Sequence, residues 1–445
     1  MVFDARPRSP GDLDDLEIDL DAWAFPIDVR EDWRQIFIDA WRLERDYFYD
    51  PGMHGVDWEA VRNQYLPLVE RVTTRNELSD LIGHVIGELS ALHTSVRGGD
   101  QRQGRERVTV ASLGARLLRD PAAGGYRIDH IYQADPDYPT ERAPLADPSL
   151  GIEVGDIIVA VNGVDTLSVD HLGALLRNRR GEQVRLQVTS AANGESRPLI
   201  VVPTANEANL RYSDWEYTRR MRVEEQAAGQ VGYVHLRAMG GGDLTAWYEQ
   251  FYPVFDRAGL ILDVRHNRGG NIDSILLEKL MRRSWFYFQQ REKAPSWNMQ
   301  YAFRGHMVVL VDEDTASDGE AFADGFRRLG LGEIIGVRTW GGEIWLSSVN
   351  RLSDNGLARA PMPGVYGPER EWLIENHGVE PDIVVENPPH ATFRGEDAQL
   401  DAAVRYLLDK IAEDPRAVPE PPPFPDKSFR YPATTTSGQG AAAER

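Results

Sequence analysis

A predicted strand that leads through a serine directly into a predicted helix most constrains how this chain can fold. The apolar run from His306 to Val311 indicates a buried strand, and a helical pattern covers Ala321 to Leu329. Between them lies the segment Thr315-Ala316-Ser317-Asp318-Gly319-Glu320. A serine in such a turn can hold its hydroxyl at the edge of a sheet, beside free N–H groups of the first helical turn, so Ser317 is a candidate nucleophile. Ser317 and Glu320 also fit a helix-capping box, and this segment alone favours the cap.

Strand and helix patterns alternate around this turn from Gly229 onwards. Strands are predicted at Val231–Leu236, Leu260–Val264, His306–Val311 and Asp382–Val385, and further helices at Leu244–Phe255, Ile272–Met281 and Gln399–Ile411. Such alternation is typical of an α/β domain with a mainly parallel sheet. We therefore predict an α/β multidomain chain whose catalytic domain spans residues 206–412.

The residues before this domain fall into two further patterns. Residues 26–105 carry apolar side chains at helical spacing, with a capping box at Thr74 and Glu77, and predict a helical N-terminal subdomain. Residues 106–205 alternate short β-type runs with turns, including Asn162-Gly163 and Asn193-Gly194, and contain one helix at about Ser168–Arg177. The two ends are predicted to be a flexible acidic arm, 1–25, and a disordered Pro-rich tail, 413–445.

The charge and amino-acid composition argue against several classes of partner and mechanism. A formal net charge of −21 disfavours nucleic acid and anionic membrane surfaces as partners. The chain has no cysteine, which excludes disulfides and thiol catalysis, and its ten histidines include no His-Glu-x-x-His pattern, so we expect no metal and no cofactor. Neither a signal-peptide core nor an apolar run of about 18 residues is present. These features predict a cytoplasmic protein.

Part of the second region resembles a PDZ domain. The similarity lies in Gly151-Ile152-Glu153-Val154-Gly155-Asp156-Ile157-Ile158-Val159-Ala160-Val161-Asn162-Gly163. Ser112-Leu113-Gly114-Ala115-Arg116-Leu117 is similar to the loop with which a PDZ domain binds a peptide carboxylate. The resemblance implies peptide binding at Leu113, Gly114 and Ala115 by strand addition. An ordinary small β-domain is the alternative.

A serine nucleophile also needs a base and an oxyanion site. No lysine occurs between Lys293 and Lys410, so a lysine close downstream of Ser317 is not available as the base. The base would then have to be a histidine from elsewhere in the chain. Gly269-Gly270 follows a predicted strand in a tight turn, and the N–H groups of Gly270 and Asp318 could together bind an oxyanion.

Five motifs in succession resemble the tricorn proteases and, more distantly, the C-terminal processing peptidases. They are Leu92-His93-Thr94-Ser95, the PDZ-like region, Arg268-Gly269-Gly270, the Ser317 turn and Glu375-Asn376-His377-Gly378-Val379-Glu380-Pro381-Asp382. The resemblance implies a crotonase-like α/β catalytic sheet domain with an inserted PDZ domain, a cofactor-free serine mechanism, peptide substrates and homo-oligomers, expected as hexamers. It assigns Ser317 as nucleophile, Gly270 and Asp318 as oxyanion donors, and Glu375 as an acid acting through Ser95.

The histidine departs from that pattern. Tricorn proteases place the base directly after Thr-Ser, where this chain has Val96. The processing peptidases have a histidine before Thr, so His93 is the predicted base, with His377 as its strongest rival. Thr94 could replace Ser95.

Two further departures concern scope and specificity. No β-propeller regions of the tricorn type are recognisable, so the chain is expected to be a compact relative or a fragment. The segment Trp285-Phe286-Tyr287-Phe288 is aromatic where tricorn has an acid, which predicts a preference for apolar or aromatic substrate residues. A non-catalytic peptide-binding protein of this fold and a crotonase-like thioester enzyme remain as alternatives.

Overall fold

The computed structural model describes residues 26–101, 104, 106–346 and 351–430. The predicted acidic arm, 1–25, and the end of the predicted tail, 431–445, lie outside the described residues. Residues 414–430 contain neither helix nor strand. Within the described ranges, no helix is both long and apolar enough to cross a membrane.

The N-terminal region is helical, as predicted. Its elements are α1 (Val29–Tyr47), α2 (Trp58–Tyr65), α3 (Arg75–Gly87) and the short strand β1 (Ser95–Arg97). The predicted capping box at the start of α3 is present, with Thr74 accepting from the N–H of Glu77. Side chains such as Ile36, Leu78 and Ile82 form a buried core between the helices.

This N-terminal core is completed by residues from the C-terminal half of the chain. Ile344, Leu352 and Ala358 belong to the same apolar cluster, and β1 pairs antiparallel with Leu357–Arg359. The predicted subdomain, 26–105, therefore lacks part of its own core, because that part comes from residues far along the chain. Local sequence patterns cannot show that distant residues contribute to this core.

The second region forms an antiparallel sheet. Its strands are β2 (Ala115–Asp120), β3 (Gly125–Ile131), β4 (Ile157–Val161), β5 (Val164–Asp165), β6 (Val184–Thr189) and β7 (Ser196–Val201). The order is β2-β3-β4-β6-β7, with β5 against β4 through the predicted Asn162-Gly163 turn. The predicted helix at Ser168–Arg177 is wrong: the segment holds short 3-10 turns, and the His171 ring accepts from the N–H of Gly173 at its midpoint.

The third region is an α/β domain with a five-stranded parallel sheet. Its strands are β8 (Val231–His235), β9 (Gly259–Asp263), β12 (His306–Val311), β13 (Glu333–Gly336) and β15 (Ile383–Val384), in the order β15-β13-β12-β9-β8. The remaining short strands are β10 (Tyr287–Phe288), β11 (Ser296–Trp297) and β14 (Leu357–Arg359). The helices are α4 (Glu207–Ala227), α5 (Gly241–Phe251), α6 (Asp273–Leu280), α7 (Asp318–Arg328), α8 (Pro389–Phe393) and α9 (Ala398–Glu413).

Helices cover both faces of this sheet. α5, α6 and α7 pack on one face, which includes Val309 and Val311 of β12. α4 and α9 pack on the other face, against Val308 and Leu310 of the same strand. Every residue of β12 after His306 is therefore buried, as expected for a parallel strand covered on both sides.

The sheet positions the site because β9 and β12 are parallel neighbours with Leu310 opposite Asp263. Their carboxyl ends lie at the same edge, where ligands bind in open α/β sheets. The loop after β9 and the loop after β12, which carries Ser317, thus leave the sheet side by side.

Candidate active site

Ser317 occupies a strained turn at the start of α7, with φ 58° and ψ −124°. A non-glycine residue adopts such a conformation only where the surrounding structure enforces it, at a cost of roughly 1–3 kcal/mol. Its N–H donates to the Glu320 carboxylate over 2.9 Å, while the N–H of Glu320 donates to the Ser317 carbonyl oxygen over 2.8 Å. In the described structure the Ser317 hydroxyl makes no capping hydrogen bond to the helix, so it is free to react.

The glycine turn after β9 lies directly against Ser317. A Cβ on Gly269 would come 2.5 Å from the Ser317 Cβ, and one on Gly270 would come 1.9 Å from the Met239 carbonyl oxygen. Only glycine fits this approach. In the described part of the chain, the N–H groups of Gly270 and Asp318 donate to no protein acceptor, which leaves both predicted oxyanion donors available.

The Asp318 side chain ties the two loops together. Its carboxylate accepts from the N–H groups of Ile272, over 2.8 Å, and Asp273, over 3.1 Å, at the start of α6. Burial, with the nearby Asp273 carboxylate, raises the pKa of Asp318 to about 7. Only the Asp318 N–H was expected to act, so this bridge was missed.

Glu320 forms a second bridge. Its buried carboxylate accepts from the Thr339 hydroxyl over 2.5 Å and from the N–H groups of Gly341 and Gly342, over 2.6 and 2.9 Å, besides the Ser317 N–H. Burial raises its pKa, although these hydrogen bonds oppose the shift. The cap interpretation identified Glu320 but not this connection to residues 339–342.

Ser317 and His93 line the same cleft, which has a volume of about 1070 Å³. His93 is 8% exposed, and its Nδ1 atom has no hydrogen-bond partner in the described structure. The Trp340 ring lies edge-on to it, with 5.2 Å between ring centroids. Burial lowers the pKa of His93, against the charge of Glu375, and Arg359 lowers it further. His93 is therefore neutral at pH 7 and able to accept a proton.

Glu375 fixes the backbone that carries His93. Its carboxylate accepts from the N–H of Leu92 over 2.9 Å, and from the N–H groups of Glu343 and Ile344 over 2.7 and 3.0 Å. Among the described hydrogen bonds none joins Glu375 to Ser95.

Ser95 lies in β1 opposite Arg359, while the Thr94 hydroxyl donates to the Ala91 carbonyl oxygen over 3.0 Å. Neither residue lines the cleft as described. The relay through Ser95, or through Thr94, thus stays a prediction.

The rival histidines lie elsewhere. His377 has a 63% exposed side chain 3.5 Å from Glu380, and His235 is buried beside Tyr212. His266 Nδ1 lies 2.8 Å from Asp312, and these two residues and Asp314 bring possible metal-ligand atoms within 4.8 Å of one another. Asp312 is already engaged by this histidine and by nearby N–H groups, so an ion pair explains the cluster. Among the described lining residues, His93 is the only histidine.

Two other sequence positions do not reach the cleft. Val96, which stands where tricorn proteases have the histidine, packs in the N-terminal core opposite Ala358. The aromatic segment from Trp285 to Phe288 forms an exposed ribbon, with Trp285 75% exposed, and does not contribute to the described lining. The cleft therefore gives no support to the predicted preference for aromatic substrate residues.

The predicted peptide-binding loop precedes the edge strand β2. Leu113 is buried, and its carbonyl oxygen accepts from the Leu145 N–H over 3.1 Å. Gly114 has a φ of 75° and donates its N–H to the Ser112 hydroxyl over 3.0 Å, and Ala115 begins β2. One side of β2 pairs with β3, and the sheet order leaves its other side as an edge. Peptide binding there stays a prediction.

Comparison with known proteins gives three family matches. Residues 29–87 match the tricorn protease C1 domain, residues 111–206 the tricorn protease PDZ domain and residues 230–385 the peptidase family S41.

Individual relatives agree with these matches. The chain is 36% identical over 423 residues to tricorn protease homolog 1 of Streptomyces coelicolor, covering 94% of this chain and 39% of the relative. It is 28% identical to the tricorn protease of Thermoplasma acidophilum, covering 92% and 38%. A carboxyl-terminal-processing protease of Picosynechococcus is 24% identical over 86% of this chain and 90% of its own length.

A solved structure shows the same fold. The crystal structure of the tricorn protease superimposes with a TM-score of 0.78 at 28% identity, over 87% of this chain and 37% of that chain. The chain thus spans less than half the length of its tricorn relatives. In this order along the chain it carries a tricorn C1 domain, a tricorn PDZ domain and a peptidase family S41 domain.

Proposed function

We propose that this chain is a serine peptidase that hydrolyses oligopeptides through an acyl-enzyme. The observation that carries the proposal is that one cleft holds Ser317 in a strained turn with a free hydroxyl, and His93 in its neutral form. The unused N–H groups of Gly270 and Asp318 lie in the two loops that meet at Ser317.

Each group has a defined step. His93 takes the proton of the Ser317 hydroxyl as the oxygen attacks the peptide carbonyl, and the C–N bond breaks as His93 returns the proton to the leaving amine. The N–H groups of Gly270 and Asp318 stabilise the oxyanion, each contributing about 3 kcal/mol. Water then attacks the acyl group, with His93 again as the base, and releases the peptide acid and Ser317.

Glu375 is a positioning residue in this scheme. Its hydrogen bonds to the N–H groups of Leu92, Glu343 and Ile344 support the proposal that it holds the His93 segment against the catalytic domain. Its charge also favours the protonated imidazole that forms during catalysis. Ser95 is the proposed link between Glu375 and the imidazole, on the family pattern alone.

The finer assignments follow the family. We infer a crotonase-like catalytic domain at 206–412, peptide binding by the PDZ domain at Leu113, Gly114 and Ala115, homo-oligomers of hexamer type and a cytoplasmic location. Support comes from the parallel sheet with helices on both faces, the exposed edge of β2 and the tricorn relatives.

One observation favours a second candidate, a non-catalytic peptide-binding protein of the same fold. His93 Nδ1 lacks the hydrogen-bond partner that normally orients a catalytic imidazole. In this case the cleft would bind peptides without cleaving them.

Peptide hydrolysis by three variants separates these candidates. Ser317→Ala and His93→Ala should each lose at least about 10³-fold in kcat, whereas His377→Ala, on the exposed surface, should keep the wild-type rate. If Ser317→Ala hydrolysed peptides at the wild-type rate, the proposal would be contradicted. Peptide binding without any hydrolysis by the wild type would favour the second candidate.

A further inference from the structure

Three arginines line the cleft beside the proposed catalytic groups. We propose that Arg97, Arg268 and Arg359 bind a carboxylate of the substrate, so that the preferred peptides carry an anionic group near the scissile bond. This inference rests on the proposed peptidase function and names its substrate class.

Strand register places two of these arginines on one face. In the β1–β14 ribbon, Ser95 lies opposite Arg359 and Arg97 opposite Leu357, so all four side chains share a face. The alternate residues, Val96 and Ala358, pack in the N-terminal core. Arg97 and Arg359 are therefore diagonal neighbours on the cleft side. An anion bound between the two guanidinium groups would remove the repulsion of their like charges.

None of the three arginines forms an ion pair with a carboxylate in the described structure. Arg97 and Arg268 are exposed to the cleft solvent and Arg359 is half-buried, so each guanidinium group can be reached by a ligand. The chain as a whole has 70 acidic and 49 basic residues, so carboxylate partners are abundant.

The cleft carboxylates do not neutralise these arginines. Asp314 lies 3.4 Å from His266, and Asp318 accepts from N–H groups at the start of α6. In the described structure neither these two nor the other lining acids, Asp273 and Glu313, form an ion pair with the three guanidinium groups. Burial, with the nearby charges of Asp324 and Glu320, raises the pKa of Glu343 to about 8, which keeps this acid mostly protonated at pH 7. The three guanidinium groups therefore have no ion-pair partner among the described residues and are available to an anionic ligand.

A carboxylate matches this arrangement chemically. The guanidinium group presents paired N–H donors in a planar fork that fits the two oxygens of a carboxylate. In a peptide, the carboxylate comes either from the free C-terminus or from an Asp or Glu side chain. Arg268 immediately precedes Gly269-Gly270, so the bound anion would lie close to the oxyanion donors.

Carboxylate binding also bears on the base. The charge of Arg359 lowers the pKa of His93, and Glu375 is the charged group that opposes this effect. A bound carboxylate would neutralise Arg359 and raise the pKa of His93 in the complex. Since kcat/KM reports the free enzyme and kcat the complex, the acid limb of kcat should lie at higher pH than that of kcat/KM. Neutral peptides should show no such separation.

Matched peptides test the inference. The two peptides of the first pair differ by a free or an amidated C-terminus, and those of the second pair by Glu or Gln beside the cleaved bond. The cleavage of all four peptides is measured with the wild type and with an Arg97→Gln, Arg359→Gln double variant. The wild type should prefer the carboxylate peptide of one pair by about tenfold or more in kcat/KM, which identifies the carboxylate source. The double variant should lose this preference but still cleave neutral peptides.

Two controls complete the design. Arg351→Gln removes an exposed arginine that is outside the cleft lining, near the same ribbon, and should keep the preference. Arg359→Lys keeps the charge and should keep part of it. Equal cleavage of all four peptides by the wild type, or an unchanged preference in the double variant, would overturn the inference.

Binding separates this inference from the proposed function. Calorimetric titration of the 445-residue Ser317→Ala chain with the same peptides measures the site without hydrolysis. Carboxylate peptides should bind about tenfold more tightly than their neutral partners, even if no peptide is cleaved by the wild type. Equal affinities would overturn the carboxylate site whether or not the chain is a peptidase.

Discussion

At the residue scale, the cleft depends on buried carboxylates that hold backbone N–H groups. Glu320 and Glu375 each accept from N–H groups of two segments of the chain. Asp318 accepts from two successive N–H groups of one segment, at the start of α6. The sequence singled out Ser317, Gly270 and these acids, because they stand in recognisable turns. It could not show the partners of the carboxylates, since hydrogen bonds between distant segments leave no local pattern.

The Glu320→Gln variant tests this dependence. An amide has one accepting oxygen, and its NH₂ group would face N–H donors that the carboxylate now accepts from, so the Ser317 turn should loosen. We expect kcat/KM to fall by about tenfold or more, since hydrogen bonds to charged groups contribute about 1.5–3 kcal/mol each. Peptide kinetics, with Tm measured alongside, checks this. Unchanged kinetics would mean that Glu320 has no part in positioning Ser317, and exposed Glu380→Gln is the matched control.

The pH dependence of kcat/KM tests the protonation of His93. The base must be neutral to act, and burial lowers the pKa of His93 from its ordinary value of 6.5. Activity should therefore persist below pH 6.5 and fall only as pH drops through this lowered pKa. An acid limb clearly above pH 6.5 on a neutral peptide would contradict a buried His93 as the base.

At the element scale, local patterns predicted strands better than helices of low amphipathicity. The predicted strand His306–Val311 is confirmed residue for residue, because a doubly covered parallel strand is continuously apolar. α4, at Glu207–Ala227, was missed. Only four of its 21 residues are buried, namely Leu210, Ser213, Val223 and Ala227, so its charged surface hides the helical period. Short strands such as β13 and β14 were missed as well, because their pairing is set by distant partners.

Helix α1 carries a buried acid with a testable effect on stability. Both oxygens of Glu44 lack hydrogen-bond partners in the described structure, and burial raises its pKa to about 8. The folded state therefore binds this proton more tightly than the unfolded state, so Glu44 makes stability decrease as pH rises from about 4.5 to about 8. Glu44→Gln should remove this contribution. Thermal unfolding at pH 5 and 8.5 should show the variant gaining Tm relative to wild type at the higher pH, and a constant difference would contradict the assignment.

At the scale of the whole molecule, the N-terminal and catalytic regions share one structural unit. Ile344, Leu352 and Ala358 complete the N-terminal core, and Glu375 binds the backbone beside His93. The order of the regions followed from changes in sequence pattern and from the family resemblance. The contacts between the regions could not be predicted, because they join side chains that are hundreds of residues apart.

A buried ion pair joins these regions. Arg75 and Asp354 have side chains that are 3% and 7% exposed, and the Arg75 hydrogen bond helps to lower the pKa of Asp354 against the effect of burial. Asp354→Asn leaves Arg75 without its counter-charge, so the free energy of unfolding should fall by about 3–5 kcal/mol. Chemical denaturation measures this, with Asp46→Asn in the exposed Arg45–Asp46 pair as a control that should change little. Equal effects of the two variants would show that the pair does not link the regions.

The proposed function requires that His93 takes the proton of the Ser317 hydroxyl. The rate of labelling by a fluorophosphonate measures this activation, with the modified residue located by peptide mass spectrometry. We expect a label on Ser317 in the wild type and in His377→Ala, and a rate reduced by about 10³-fold in His93→Ala. A label on another residue, or wild-type labelling of Ser317 in His93→Ala, would contradict the proposed function.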